Sequence, residues 1–228
     1  EQFGENAAKI LTNLAQINEL YSKSPTIETE NFRNLLLSFT NDMRVILIII
    51  SSRLVLLREL SGFHDKEARI LVAREASKLY IPLAHKLGFY KLKSEMEDLA
   101  LRYTESEIYA ELSNKLEETA ASREDYIASF IKPIERRLKT MPHLKYRIKG
   151  RTKSINSIWQ KMKKQQRPFE QIYDLFAIRI IIDSEPQNEK SECWQVYSIV
   201  ADMYTPNPHR LRDWLSVPKS NGYESLHT

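Results

Sequence analysis

The 228-residue sequence has a single cysteine, Cys193, so neither a disulfide framework nor a cysteine-rich zinc site can be built from it, and a reducing compartment suits it. Glycine is scarce, at five residues. With 42% hydrophobic and 28% charged residues, this excludes collagenous and disordered classes and fits a helix-rich globular chain. Long apolar runs are missing. The longest, VILIII at 45–50, is bracketed by Arg44 and Arg53 and falls far short of the roughly 20 residues a membrane span needs, so it reads as buried helix core and no membrane association is expected. The opening EQFGEN has no basic region leading into an apolar one, so no signal peptide is expected and a cytoplasmic location is. A G-x-x-x-x-G-K-[ST] loop is also absent, which excludes a P-loop protein.

Negative charge is what residues 140–170 lack. They hold nine Lys or Arg against one acid, Glu170, although the whole chain carries only +4. Such a stripe points to a phosphate-rich partner, nucleotide or nucleic acid; the alternative is an ordinary solvated helix face.

Apolar residues at three- and four-residue spacing predict helices over 6–20, 28–60 and 66–103, with Ser24-Pro25-Thr26 and Ser61-Gly62 as stops and Thr26 as a cap. Pro82 and Gly88 flank LAHKL and predict a bend. Residues 105–139 read as longer, more charged connecting helices, broken or restarted at Pro133. After Met141-Pro142 the character changes. KYRIKGR alternates as a strand does, 152–166 reads as a helix, LFAIRIIID as an apolar β-branched strand, and about 190–204 as a helix. The predicted fold is α+β, an all-helical N-terminal half followed by a sheet domain, with a boundary near residue 140.

Three stretches could carry chemistry. In KGRTKSINSIWQKM (149–162), Ile155, Ile158, Trp159 and Met162 form a buried stripe, while Lys153, Ser157 and Lys161 recur one turn apart on a neighbouring face with Arg151 at the entry. Free N–H groups and the positive dipole end at the helix start would complete a polyphosphate track. In QIYDLFAIRIII, Asp174 precedes the apolar strand; it is either a cap or, beside a phosphate track, a Mg2+ ligand. Arg179 on that strand should point to the opposite face from Asp174 and serve in a structural pair. The last stretch, PNPHRLRDWLSVPKSNGYESLHT, gathers Arg210, Arg212, Lys219, Asn221, Tyr223 and His227 around one turn. A ring that stacks and cations that hold phosphates suit a purine nucleotide, and a surface loop with a core Tyr is the plainer reading of any one of them.

KGRTKSINSIWQKM, FEQIYDLFAIRIII and LRDWLSVPKSNGYESLHT resemble, in order and spacing, the synthetase domain of the RelA/SpoT family of alarmone enzymes. DMRVILIIISSRLVLLREL and YIPLAHKLGFYKLKSEMEDLALRY resemble the end of the family's helical hydrolase domain and the helices after it, so the likeness spans essentially the whole chain. The resemblance implies transfer of pyrophosphate from ATP to the 3′-hydroxyl of GTP or GDP on a nucleotidyltransferase-like mixed β-sheet with flanking helices. Carried over, Arg151, Lys153, Ser157 and Lys161 would bind the ATP phosphates, and Asp174 would hold the catalytic Mg2+. Tyr223 would stack on the acceptor guanine with Lys219, Asn221 and His227 around it, and Arg210 and Arg212 would lie beside the acceptor phosphates. Ribosome or tRNA contact, where a family member has it, would run through regions not present here. The implied domains are a helical hydrolase remnant (1–104), connecting helices (105–140) and the synthetase domain (141–228).

The sequence departs from the family's pattern in three places. The family's synthetase continues past the His-Thr pair to a strand with a second acidic residue, whereas this chain stops at Thr228 and is expected to be a piece of a longer protein. Where members that also hydrolyse the alarmone carry Arg-x-Lys-Asp after a Gly, this chain has His209-Arg210-Leu211-Arg212-Asp213. The hydrolase's late Asp and Asn are replaced by Ser52 and Leu56 in a helix that is apolar nearly all round, which predicts a degenerate hydrolase domain buried as core; His64-Asp65 reads as coincidence. A non-catalytic nucleotide-sensing or RNA-binding module is the alternative that the basic stretch allows.

Overall fold

The structure is a computed structural model in which residues 4–23, 42–172, 175–219 and 222–228 are described. The chain divides into two compact units, Glu1–Ser113 with Ser154–Gln166, and Asn114–Lys153 with Arg167–Thr228. The fold is α+β and mostly helical, as expected.

The first unit holds α1 (Gly4–Lys23), α2 (Met43–Glu59), α3 (Lys66–Glu75), α4 (Ile81–Lys86), α5 (Tyr90–Thr104), the start of α6 (Ser106–Glu118) and, from further along the chain, α8 (Ile155–Gln165). The cap expected at Thr26 lies outside the described residues. Asp42 caps α2 by accepting the Arg44 N–H at 3.0 Å, and Val45, Ile46, Ile50, Leu54 and Leu57 form its buried stripe. Each such side chain contributes about 1.5–3 kcal/mol of burial. The helix is not apolar core all round, however: Leu47, Ile48 and Val55 are 38, 39 and 54% exposed, and Ser52 is exposed beside them, because only one stripe of a helix can face a single packing partner. Leu56 is half-buried against the core.

Asp65 has a structural role here. Its carboxylate accepts the Glu67 and Ala68 N–H groups at 2.8 and 3.3 Å and caps α3. Pro82 does not break the chain between helices but sits inside α4, preceded by a π turn at Ala76–Tyr80 in which the Ile81 N–H reaches the Ala76 carbonyl. A proline lacks the N–H and crowds the carbonyl four residues back, and the wider turn accommodates both. Gly88, at φ +78°, makes the left-handed stop between α4 and α5. Arg53 fixes the π turn to α2, bonding Glu75 at 2.9 Å and the buried Tyr80 hydroxyl at 2.9 Å, with its guanidinium 4.5 Å from that ring's centroid.

The second unit holds α7 (Ala120–Leu138), β1 (Tyr146–Thr152), β2 (Phe176–Ile182), α9 (Glu189–Met203), β3 (Arg212–Asp213) and β4 (Leu226–His227). Helix α7 runs through Pro133, where a break was expected, because Ile134 and Leu138, at 1% and 0% exposure, anchor its last turns in the core. Among the described residues the strands form two antiparallel pairs, β1 with β2 and β3 with β4. In the first, Tyr146 faces Ile182, Ile148 faces Ile180, Lys149 faces Arg179 and Thr152 faces Phe176. Tyr146, Ile148, Ile180 and Ile182 pack on a core of Ile134, Leu138, Leu144 and Val196 from α7, α9 and the turn before β1. At Gly150 the strand comes close to α7: a Cβ there would stand 3.1 Å from an Ile127 methyl, which would have to shift by a few tenths of an ångström. Phe130 and Tyr204 close the core with stacked rings 3.9 Å apart.

Candidate polyanion site

Side chains alternate across a strand, so a β1 whose Tyr146 and Ile148 face the core must send Arg147, Lys149 and Arg151 to the other side. All three are exposed. The register adds a fourth cation: Arg179 of β2 stands directly opposite Lys149 on the same face and is exposed as well. Arg179 is therefore no structural pair. Among the described residues, none of these four cations has an ion-pair or hydrogen-bond partner.

The C-terminal stretch brings its own cluster. Gly222, at φ +73°, closes the turn, with its N–H on the Lys219 carbonyl at 2.8 Å and the Lys219 N–H on the Tyr223 carbonyl at 3.2 Å. The Lys219 ammonium then lies between two rings, 4.8 Å from the centroid of Trp214 and 5.2 Å from that of Tyr223. The Tyr223 hydroxyl is 3.1 Å from His227 Nε2. Arg212 pairs with His227 in the β3–β4 ladder and donates to the carbonyls of His209 and Leu211 at 3.2 and 3.0 Å, while Arg210 ends a short 3-10 turn at Pro208–Arg210. Burial, then the charges of Lys219 and Arg179, hold the His227 imidazole below its ordinary value. Arg179 is thus one of the charges that His227 feels.

Ser157 and Lys161 lie on α8 in the first unit, and Arg151 and Lys153 lie in the second, with the Lys153 N–H extending the β-ladder to the Leu175 carbonyl at 2.8 Å. The sequence led us to expect free N–H groups at the start of α8, and the structure shows them taken. Asp98 of α5 accepts those of Ile155 and Asn156 at 3.3 and 2.7 Å, and the N-cap Ser154 hydroxyl accepts that of Ser157 at 3.3 Å. The Ser157 hydroxyl itself is 2.8 Å from that of Ser154. Burial pushes the Asp98 carboxyl up, against the two N–H bonds that pull it down. A carboxylate already complements this helix dipole.

Asp174 and Asn221 lie outside the described residues. Among the described residues no group of three or more His, Cys, Asp or Glu could hold a metal ion, so the Mg2+ site on Asp174 rests on sequence. Sequence reasoning missed Trp214 and Asp98, took Arg179 for a structural pair, and counted Lys149 among the cations of 149–162 without assigning it a ligand contact. Strand alternation could have put Lys149 beside Arg151; only the register could find Arg179.

These features define an α+β module with a basic, solvent-facing sheet and an aromatic–cation cluster, a class suited to phosphorylated ligands. Residues 150–228 match the family described as "Region found in RelA / SpoT proteins", and residues 1–90 match the HD domain family. The chain is 35% identical to the guanosine-3′,5′-bis(diphosphate) 3′-pyrophosphohydrolase of Aquifex aeolicus over 228 residues, covering 100% of this chain and 32% of that one. It is 33% identical to the GTP pyrophosphokinase of Haemophilus influenzae, covering 100% of this chain and 31% of the relative. To the bifunctional (p)ppGpp synthase/hydrolase SpoT of Escherichia coli it is 32% identical, covering 99% and 31%. The chain belongs to the RelA/SpoT family, and it spans about a third of the length of these relatives. No helix among the described residues is long and apolar enough to cross a membrane.

Proposed function

We propose that the protein makes (p)ppGpp by transferring pyrophosphate from ATP to GTP or GDP, and that it does not hydrolyse the product. The observation that carries the synthetic half is the exposed row Arg147, Lys149 and Arg151 on β1, with Arg179 of β2 opposite Lys149, together with the cluster of Lys219, Tyr223 and His227. The acceptor's 3′-hydroxyl oxygen attacks the β-phosphorus of ATP. The bond from that phosphorus to the α,β-bridging oxygen breaks, AMP leaves, and the hydroxyl proton is lost. Little covalent chemistry falls to the protein in such a transfer; its task is to position two nucleotides and neutralise their charge.

In this reading Arg151 and Lys153 hold ATP phosphates, the role the family resemblance implies for them. Tyr223 offers one ring face to guanine, the Lys219 ammonium being set against the ring, while Arg210 and Arg212 sit beside the acceptor phosphates. Mg2+, held through Asp174 and the phosphates, would supply further charge neutralisation. The relatives' names span synthesis and hydrolysis, and the residues favour synthesis alone. Ser52 and Leu56 stand where the resemblance places a hydrolase Asp and Asn, and neither can replace a metal-binding or base carboxylate and its partner amide.

The test is to incubate the full-length protein with ATP, GTP and Mg2+ and follow AMP and the 3′-pyrophosphorylated product. Formation of both in equal amounts is expected. Absence of product, together with salt-sensitive binding of single-stranded RNA and no preference for guanine nucleotides, would replace this reading with that of a nucleic-acid-binding module.

A further inference from the structure

We propose that Trp214 is a positioning residue for the acceptor nucleotide, an assignment that rests on the synthetase reading. Its ring holds the Lys219 ammonium against one face of Tyr223 and so keeps the other face open for guanine. Lys219 is exposed, and a solvated lysine loses much rotamer freedom when its ammonium is fixed in one place. A single ring at an exposed site attracts such a cation only weakly. Here two rings act on it together, their centroids lying 4.8 Å (Trp214) and 5.2 Å (Tyr223) from Nζ.

Trp214 is anchored where the lysine side chain is not. Its N–H donates to the Ser225 carbonyl at 2.9 Å, which carries the β3–β4 ladder one residue beyond the Asp213–Leu226 pair. After it, the Asp213 carboxylate accepts the Leu215 and Ser216 N–H groups, each at 2.9 Å, and the buried Leu215 side chain pins the turn. The indole itself is half-buried. The 3.2 Å bond from the Lys219 N–H to the Tyr223 carbonyl sets the two backbones side by side, yet a four-carbon side chain can still point in many directions. The indole selects the direction that lies over the Tyr223 ring, and tryptophan offers a cation the best ring face of any side chain. At its other end the Tyr223 hydroxyl is 3.1 Å from His227 Nε2, so the ring is held at one face and at its tip.

The experiment compares the full-length protein with Trp214→Leu, which keeps apolar bulk without a ring, Trp214→Phe, which keeps a ring, Lys219→Met, and the Trp214→Leu, Lys219→Met double variant. Equilibrium dialysis of GDP and of ATP reads binding, and brief acetylation followed by mass spectrometry reads how accessible the Lys219 amine is. Trp214→Leu is expected to weaken GDP binding about three- to tenfold, the scale of one cation–ring contact, with ATP binding unchanged. Trp214→Phe should restore most of that loss. The double variant should bind GDP no worse than Lys219→Met alone, because the indole acts through the lysine. Acetylation of Lys219 should be faster in Trp214→Leu, since one of the two rings that shield its nitrogen is gone.

An equal loss of GDP and ATP binding in Trp214→Leu overturns the proposal and leaves Trp214 as packing. So does a Trp214→Leu loss of GDP binding that is as large without Lys219 as with it, or a Lys219 amine whose acetylation ignores Trp214. Synthesis from ATP and GTP in a protein whose GDP binding ignores Trp214 removes the positioning role while the synthetase reading holds. Lys219 acetylation that follows Trp214 in a protein that makes no (p)ppGpp removes the synthetase reading and leaves the hold on Lys219 standing.

Discussion

The Asp98 carboxylate accepts the backbone N–H of Asn156 at 2.7 Å, tying the middle of α5 to the first turn of α8 across 58 residues of sequence. With the 3.3 Å bond to the Ile155 N–H it satisfies donors that a helix start otherwise leaves to water. This is a side-chain cap supplied from another element, and it groups α8 with the helical unit although its neighbours in sequence are strands.

Asp98→Ala is therefore expected to destabilise the protein by about 0.5–2 kcal/mol, the usual cost of a lost helix cap. Urea unfolding checks this, with a lower midpoint at unchanged slope. Asp98→Asn, which keeps an accepting oxygen, should recover most of the loss. An unchanged midpoint in Asp98→Ala would mean that Ser154 alone suffices as the cap.

His227 gives a pH dependence. Its imidazole is held below its ordinary value of about 6.5 by burial and by Lys219 and Arg179, so the unfolded chain binds the proton more readily than the folded one. The stability it contributes is fully present above about pH 6.5 and is lost as pH falls through the lower folded-state value. Arg179→Gln should move the His227 titration upward, as read from its imidazole proton resonance. An unmoved titration would show that Arg179 and His227 do not share a field.

Tyr223→Ala should weaken guanine nucleotide binding by about 1–3 kcal/mol, the range typical of base–aromatic stacking, and leave ATP binding nearly unchanged. Equilibrium dialysis with each nucleotide separates the two. Equal losses would assign Tyr223 to the architecture of the turn, where it already meets Lys219 and His227.

Asp174→Asn should abolish synthesis without unfolding the protein, because the amide keeps the shape and removes the negative charge expected to hold Mg2+. Product formation and far-ultraviolet circular dichroism, measured on the same sample, check both halves. Turnover near that of the unaltered protein would sink the metal assignment.

The full-length protein should release no pyrophosphate from guanosine tetraphosphate with Mn2+ above a heat-killed control. The basis is Ser52, exposed on α2, and Leu56, half-buried against the core, at the positions of the expected carboxylate and amide. Any Mn2+-dependent release would place the hydrolase residues elsewhere in the chain.

Much of this protein is legible in local pattern. The three- and four-residue spacing of Val45, Ile46, Ile50, Leu54 and Leu57 specifies a helix and its buried face, and KYRIKGR and FAIRIII specify strands, because side-chain periodicity follows from backbone geometry alone. The same alternation places Arg147, Lys149 and Arg151 on one face. Motif order and spacing carry the family. Tertiary structure decided what depends on partners distant in sequence: that Arg179 faces Lys149, which needs a register; that Asp98 occupies the start of α8, which needs α5 beside it; and that α7 continues through Pro133, which needs a core to hold Ile134 and Leu138. Period and propensity act within a few residues, whereas an opposed charge, a borrowed cap or a tolerated proline is set by the free energy of packing between elements.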